Sequence, residues 1–599
     1  MPATQKIDIH VISYKNNHIA MLPANTIRLH PCRKQYTLDQ DKACSPEETV
    51  KHFLKRLERL DLDILREVRR IDNGRLGIPV YFSVCGRDAL AVTGTKKQMG
   101  KGSTPAQARA SACMELAERF SFFSFVGNDT NFVTGDYHTL ASRGYPLLPL
   151  ETLLFSVSDI THSTRLLGQM LAGLPLRWTW ATPLTGERDV LVPFSWFYAI
   201  NEFNGPAAGN TMEEAVLQGL SEIIERHVCA RVSQEKISTP AIDLNSVTDP
   251  VARQLITAFK QCGIMLFCND FTLDTGIPTV AAVAWDPTTF PEQSEIVYTA
   301  GTTPDPTKAL IRALTEVAQL AGDFNTGANY VASGLPKPRT PEEIDFLIHS
   351  GQRIRIDDMA QLGHDDIREE ILNCCNAIEQ LDLIPMAINT THPDLGIPAC
   401  YVIVPGCHFR ERTSGDALLF AAKLAAELLP PRELARWLTT MQERLADRYY
   451  LEFYRGRNLL DQMHPEAALA CFDKALALQP LAEDIPYIHA FKGCALRDLE
   501  RYDEAIETLH TGLEWDERRP DIHNILGVCY FRLGDHRQAA AHFQRAVELN
   551  PASAIDYANL ALNLEQLGQT EEARINYEIA LSQDPSIAFA REGLARLQQ

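Results

Sequence analysis

Glu214, Gln218, Glu222 and Glu225 lie in a segment otherwise filled by Val216, Leu217, Leu220, Ile223, Ile224 and Val228. At about 100° per residue, these polar groups fall within roughly one third of a helix circumference. Carboxylates set in an apolar helix are costly unless a cation meets them. Two ordinary explanations cover part of the set. Thr211 with Glu214 has the spacing of a capping box, and Glu222 with Arg226 that of an i,i+4 ion pair.

The same design recurs twice. GKGSTP leads into a segment in which Thr104 is spaced as an N-cap, with Pro105 at the first helical position and Gln107 three residues after the cap. Ser111, Glu115, Glu118 and Arg119 then share a face, and free N–H groups of the lead-in are placed to meet phosphate. A third helix is expected to start at Asp305-Pro306, with Arg312, Glu316 and Gln319 at i, i+4 and i+7. Glu115, Glu118, Glu214, Glu222, Glu225 and Glu316 brought together would repel one another strongly. Magnesium resolves such a cluster, because it takes oxygen ligands and combines a few carboxylates with substrate phosphates. Arg119, Arg226 and Arg312 would then offer forked donors to the phosphate oxygens. The Walker pattern G-x-x-x-x-G-K-[ST] is absent.

Ser111 to Arg119 (S-x-x-x-E-x-x-E-R), Asn210 to Arg226 (N-T-x-E-E-A…E-x-x-E-R) and Arg312 to Gln319 (R-x-x-x-E-x-x-Q) resemble, in order and spacing, the nucleotide-binding motifs of YcaO-domain proteins. The leading stretch RIDNGRLGIPVYFSV is similar to the family's usual start, and the likeness runs roughly over residues 62–406. It implies ATP and Mg as cofactors, with Ser111, Glu115, Arg119, Asn210, Arg226, Arg312 and Gln319 on the nucleotide. Glu115, Glu118, Glu214, Glu222, Glu225 and Glu316 are the implied metal ligands, and Arg312, Glu316 and Gln319 the implied catalytic group.

YcaO proteins use ATP to activate a peptide backbone amide by phosphorylating its oxygen after a nucleophile has attacked the carbonyl carbon. A neighbouring Cys, Ser or Thr gives an azoline (cyclodehydratase chemistry), and sulfide gives a thioamide (thioamidation). One bacterial stand-alone member is described as an accessory factor for methylthiolation of a small-subunit ribosomal protein. Here His227 replaces the acid that commonly follows the central E-R, and the chain ends RLQQ rather than in the Pro-rich tail of azoline-forming members. The expectation is therefore a stand-alone amide-activating or accessory enzyme acting on a peptide or protein substrate. Two other classes stay open: a non-catalytic adaptor with a structural or regulatory nucleotide site, and an ATP-dependent ligase joining a carboxylate to an amine.

Stepping outward to the elements that hold these residues, 599 residues exceed what one core serves. An N-terminal segment (1–61) is expected to end in an amphipathic helix over PEETVKHFLKRLERLDLDILREVRRI, with Val50, Phe53, Leu54, Leu57 and Leu60 on its buried face. Residues 62–410 alternate β-rich stretches (Gly77 to Thr95, TWATPLTGERDVLVPFSWFY, IPTVAAVAWDP) with long helices, which predicts an α/β domain of the α+β layered kind. A helical connector is expected over 411–448.

In 449–599, Ala505, Ala539 and Ala573 recur every 34 residues, as do Gly493, Gly527 and Ala561, and Leu509, Phe543 and Tyr577. That is the period of tetratricopeptide (TPR) repeats, so an all-α TPR solenoid of about four repeats is expected. Its groove would take a protein partner, with Asn559 and Asn563 as candidate contacts, or the repeats would serve packing between copies; a homodimer is expected. A net charge of −20 makes nucleic acid a poor partner. Neither a signal peptide nor a membrane-length apolar run is visible, which predicts a cytoplasmic protein. The 14 cysteines show no zinc-ligand spacing.

Overall fold

The computed structural model describes residues 25–598 apart from residues 187, 328–329, 331–334, 410–414 and 446. The first part of the expected N-terminal segment, residues 1–24, thus lies outside the described residues. The chain forms two compact units, one up to Phe420 and one from Ala421 onward. No helix among the described residues is long and apolar enough to cross a membrane.

The first unit is a mixed α/β fold. A five-stranded sheet runs in the order Val297–Thr302, Thr279–Trp285, Met265–Asp270, Ala241–Ile242, Arg353–Ile354. Its strand Thr279–Trp285 is buried along its whole length. Side chains alternate faces along a strand, so Val280, Ala282 and Ala284 pack with Leu310, Leu314 and Val317. Ala281 and Val283 pack with Val228 and Val232 on the other side. A three-stranded sheet (Leu65–Arg70, Val80–Cys85, Lys97–Lys101) and a larger antiparallel sheet containing Ala399–Ile403 and Pro206–Ala208 complete the framework.

Three local expectations are corrected. The leading helix spans only Pro46–Leu57, and LREVRR is a strand paired antiparallel with Val80–Cys85. The chain is drawn off the helical path by Asp63, whose carboxylate accepts from Arg87 N at 2.9 Å while its own N–H donates to Asp88 at 2.8 Å. Within the stretch read as β-rich, Arg87–Thr93 is a helix closed by Gly94 at φ 68°. FSWFY likewise belongs to a helix, Phe194–Asn201. The helical face of the leading helix is as expected: Val50 and Phe53 are buried, with Leu54, Leu57 and Leu60 packed beside them.

The second unit stacks helix pairs Tyr449–Asp461/Pro465–Ala477, Ile485–Asp498/Tyr502–Trp515, Pro520–Arg532/His536–Leu549 and Ala554–Gln566/Thr570–Gln583, followed by Ala588–Leu597. The periodic glycines have a packing cause. A Cβ on Gly456 would stand 2.6 Å from Phe472, on Gly493 2.5 Å from Leu509, and on Gly527 2.8 Å from Phe543. Each large side chain of a second helix thus lies directly on the bare backbone of the first. Asn563 does not face a groove: it is 1% exposed and its amide engages His536 Nδ1 at 3.0 Å and Asn559 O at 2.9 Å.

Candidate functional site

Three helices carry the motif residues: Pro105–Gly127, Met212–Glu235 (the central helix) and Pro306–Ala321. Their starts form as the sequence predicts. Thr104 Oγ1 accepts from Gln107 N at 3.2 Å, Thr211 Oγ1 from Glu214 N at 3.2 Å, and Asp305 Oδ1 from Thr307 N at 2.7 Å. Each helix approaches its sheet through a glycine. A Cβ on Gly100 would meet Ala112 N at 2.1 Å, one on Gly301 would meet Ala309 O at 2.5 Å, and one on Gly219 would meet Gly205 O at 2.7 Å. Backbone-to-backbone contact of this kind sets the depth of each helix, and with it the height of its carboxylates.

The three polar faces meet. Arg119 lies 3.2 Å from Glu115 and 3.4 Å from Glu118, and Arg226 lies 3.3 Å from Glu222 and 3.8 Å from Glu225. Arg312 joins two helices, donating through Nη1 to Gln218 at 2.8 Å with its Nε 3.7 Å from Glu225. That Nε is buried without a hydrogen-bond acceptor. Glu225 also receives the N–H of Thr302, at the end of the edge strand, at 3.2 Å. Lys101, from the strand Lys97–Lys101, is ion-paired with Glu316.

Burial dominates the electrostatics. It drives the Glu118 carboxyl well above the usual range, with the charge of Glu115 adding to the effect and Arg119 opposing it. Burial likewise lifts Glu225 to about 7 against the pull of Arg312 and Arg226. Glu316 is also buried, but Lys101 and Arg312 outweigh that and hold its carboxyl below the ordinary value. Glu115, Glu118, Glu222, Glu225 and Glu316 thus share one electrostatic region, linked through Arg119, Arg226 and Arg312, although no three of them bring oxygens within 4.8 Å of one another in this structure. Such a donor set fits a hard divalent cation, and the unaccepted Arg312 Nε–H fits a phosphate oxygen.

Glu214 is held differently from the other carboxylates. One oxygen accepts from Ala43 N at 2.5 Å, and the other from Asn210 N at 2.8 Å and Asn210 Nδ2 at 3.0 Å. Its carboxylate is occupied in tying the segment before the leading helix to the loop that opens the central helix. The expected capping box is thus only half made, and Glu214 is held by backbone and amide donors while lining the same cavity as Gln218 and Arg312. Ser111 and Gln319 are half-buried on the same helices as their motif partners.

Sequence reasoning missed several participants. Lys101 was hidden in GKGSTP, although a lysine directly before a Gly-rich helix start is itself a signal. The residues before the leading helix gave no signal, yet they are sewn to the helix starts. Asp39, 1% exposed, takes the N–H of Ser103 at 3.1 Å, His30 N donates to Glu213 at 2.7 Å, and Lys308 Nζ donates to the carbonyls of Thr37 and Leu38, both at 2.7 Å. The Ser103 N–H expected to face phosphate is therefore already engaged.

Comparison with known proteins decides the family. Residues 99–408 match the family model described as YcaO cyclodehydratase, ATP- and Mg2+-binding. The chain belongs to the YcaO family. ATP and Mg2+ are the cofactors of this YcaO chain, and residues 492–554 and 557–587 match tetratricopeptide-repeat models. An uncharacterized protein of Methanothermobacter thermautotrophicus is 29% identical over 61% of this chain and 94% of its own length. The ribosomal protein S12 methylthiotransferase accessory factor YcaO of Escherichia coli is 28% identical over 47% of this chain and 49% of its own. Among solved structures, a heterocyclase in complex with substrate and cofactor is similar at a TM-score of 0.52 and 25% identity, over 64% of this chain and 54% of that one. The YcaO chain thus spans about half the length of the last two proteins.

Proposed function

We propose that this YcaO protein activates a backbone amide of a peptide or protein substrate by ATP-dependent phosphorylation of the amide oxygen, with the repeats recruiting the substrate or a protein partner. The observation that carries this reading is that five carboxylates and three arginines from three separate helices act on one another in one half-buried site. Glu115, Glu118, Glu222, Glu225 and Glu316 would hold Mg2+, and Arg119, Arg226 and Arg312 would orient the phosphates. Ser111, Asn210 and Gln319 would add polar contacts to the nucleotide. Bound ATP with Mg2+ supplies the phosphoryl group.

The protein's part is to position and stabilise charge, as in phosphoryl transfer generally. Burial strengthens each of its interactions with developing negative charge. Arg312 and Glu316, one turn apart, and Gln319 on the same helix are the residues proposed to touch the reacting group. A nucleophile would add to the carbonyl carbon, the oxygen would take the γ-phosphoryl group with ADP as the leaving group, and the nitrogen lone pair would break the C–O bond to release phosphate. The accessory role named for the E. coli relative supports a protein substrate, and a homodimer acting in the cytoplasm is part of the same proposal.

The test follows the oxygen. A candidate substrate carrying ¹⁸O in its target amide is expected to pass the label into inorganic phosphate, and Arg312→Ala or Glu316→Gln to suppress that transfer with turnover. Unlabelled phosphate formed at the rate of substrate conversion would exclude direct amide activation. Label arriving from a carboxylate would indicate a ligase, and no turnover an adaptor.

A further inference from the structure

A cleft of about 360 Å³ lies between the leading helix Pro46–Leu57 with the turn after it, the loop at Gly209–Asn210 and the loop at Gly396–Pro398. Its rim is cationic. Lys55, Arg56 and Arg59 line it with the imidazole of His52 beside them, and no Asp or Glu does, although the chain as a whole carries −20. On a helical path, positions i, i+3/i+4 and i+7 form one stripe, here about 10 Å long. All four side chains are exposed, and Lys55, Arg56 and Arg59 make no ion pair among the described residues. Of the helix's first-turn acids Glu47 and Glu48, Glu48 is turned back onto Ser45 in a capping box and acts on His52 and Lys51 rather than on Arg56 or Arg59. Three like charges, Lys55, Arg56 and Arg59, on one side of a helix end repel one another, and an anionic ligand would relieve that.

The floor is apolar, formed by Phe53, Met114, Ile397 and Pro398. Two walls belong to the nucleotide-site elements: Met114 precedes Glu115 on its helix, and Asn210 leads into the central helix. Along the third wall Gly396 sits at φ 60°, a conformation that favours glycine, and Arg56 Nη1 lies against it, 2.8 Å from where a Cβ would stand.

We infer that this cleft docks an extended, acidic segment of the peptide or protein substrate, with carboxylates on the stripe and an apolar side chain on the floor. The inference rests on the amide-activating reading. Carboxylates two residues apart on an extended chain are about 7 Å from one another, which suits a 10 Å stripe. A single phosphate is served by converging donors or a helix N-terminus, whereas these cations are strung along the second half of a helix and the turn that follows. Charge complementarity of this kind acts on specificity and association rate.

The full-length protein is titrated, by fluorescence anisotropy, into labelled peptides of alternating Glu and Leu and into the same peptides with Gln or Lys in place of Glu. The Glu peptide is expected to bind at least about tenfold more tightly than the Gln peptide, with affinity falling as salt rises. Arg56→Gln/Arg59→Gln is expected to remove most of that preference and Arg56→Glu/Arg59→Glu all of it. ATP affinity, measured on the same samples, stays that of the parent. Equal binding of Glu and Gln peptides, or no effect of the Gln pair of substitutions, overturns the inference. So does loss of Glu-peptide binding to inorganic phosphate at constant ionic strength, which would reassign the cleft to phosphate. If the Glu pair also loses ATP affinity, it is misfolded and the Gln pair decides. Failure of ¹⁸O transfer with intact acidic-peptide binding would reject the amide-activating reading and leave the docking site standing.

Discussion

Gly301→Ala tests whether the site depends on how deeply the helix Pro306–Ala321 sits against its sheet. The new Cβ would stand 2.5 Å from Ala309 O, 2.7 Å from Ala313 N and 2.9 Å from Arg312 Cβ. Ordinary contacts of this kind need about 3.4 Å, so the helix must withdraw by roughly 0.9 Å. No flexible side chain can yield instead, because the nearest atoms are backbone. Overpacking of this size costs about 1–3 kcal/mol, which a chain of this core size tolerates. The functional cost is expected to be larger. Arg312 reaches Gln218 at 2.8 Å and stands 3.7 Å from Glu225, and displacements approaching 1 Å at a reacting centre cost up to about 100-fold. Calorimetric titration with ATP and Mg2+, turnover, and a thermal melt are measured together, with Gly127→Ala, whose Cβ would meet nothing within 4 Å, as control. Gly301→Ala is expected to stay folded, lose at least about tenfold in affinity or turnover, and differ from Gly127→Ala in both. Binding and turnover equal to the parent would refute the idea that glycine-set helix depth positions the cluster.

Glu222→Gln and Glu225→Gln are each expected to lose at least about tenfold in Mg-dependent ATP affinity without unfolding, since each removes ligand charge at nearly constant shape. Parent-like titrations of both would make the acids a salt-bridge network only. A chain ending at residue 448 is expected to keep its ATP affinity within about twofold and lose partner capture, because repeat arrays stack mainly on their own neighbours. Aggregation or loss of ATP affinity would count against recruitment by the repeats. In the repeats, His542 contacts His523 across Nδ1 atoms 3.0 Å apart and stacks on Tyr530. Burial, then His523 and His510, lower its pKa to about 4. A depressed histidine contributes stability that is present above its unfolded value near 6.5 and lost as pH falls through about 4, at most about 3 kcal/mol. His542→Gln is therefore expected to reduce the drop in melting temperature between pH 7 and pH 4.5, and an unchanged drop would reject this role.

What the sequence determined by itself was carried by local spacing. Thr104, Thr211 and Asp305 specify helix starts because an N-cap acts over three residues, and the acids share faces because helical geometry makes residues three and four apart neighbours. The repeats were legible for a similar reason: Gly493 beneath Leu509 and Gly527 beneath Phe543 recur as a unit that packs mostly within itself. Tertiary structure alone decided the matters that join distant parts of the chain. Lys101 pairs with Glu316 across more than two hundred residues, and Glu214 accepts from Ala43 and Asn210. LREVRR carries charges that suit a helix surface, yet pairing with Val80–Cys85 and the hold of Asp63 on Arg87 make it a strand. The cationic cleft likewise exists only where the leading helix meets loops some 150 and 340 residues further on. Periodicity encodes which residues share a face, while the partner of that face is set by packing and buried charge, and these act through space.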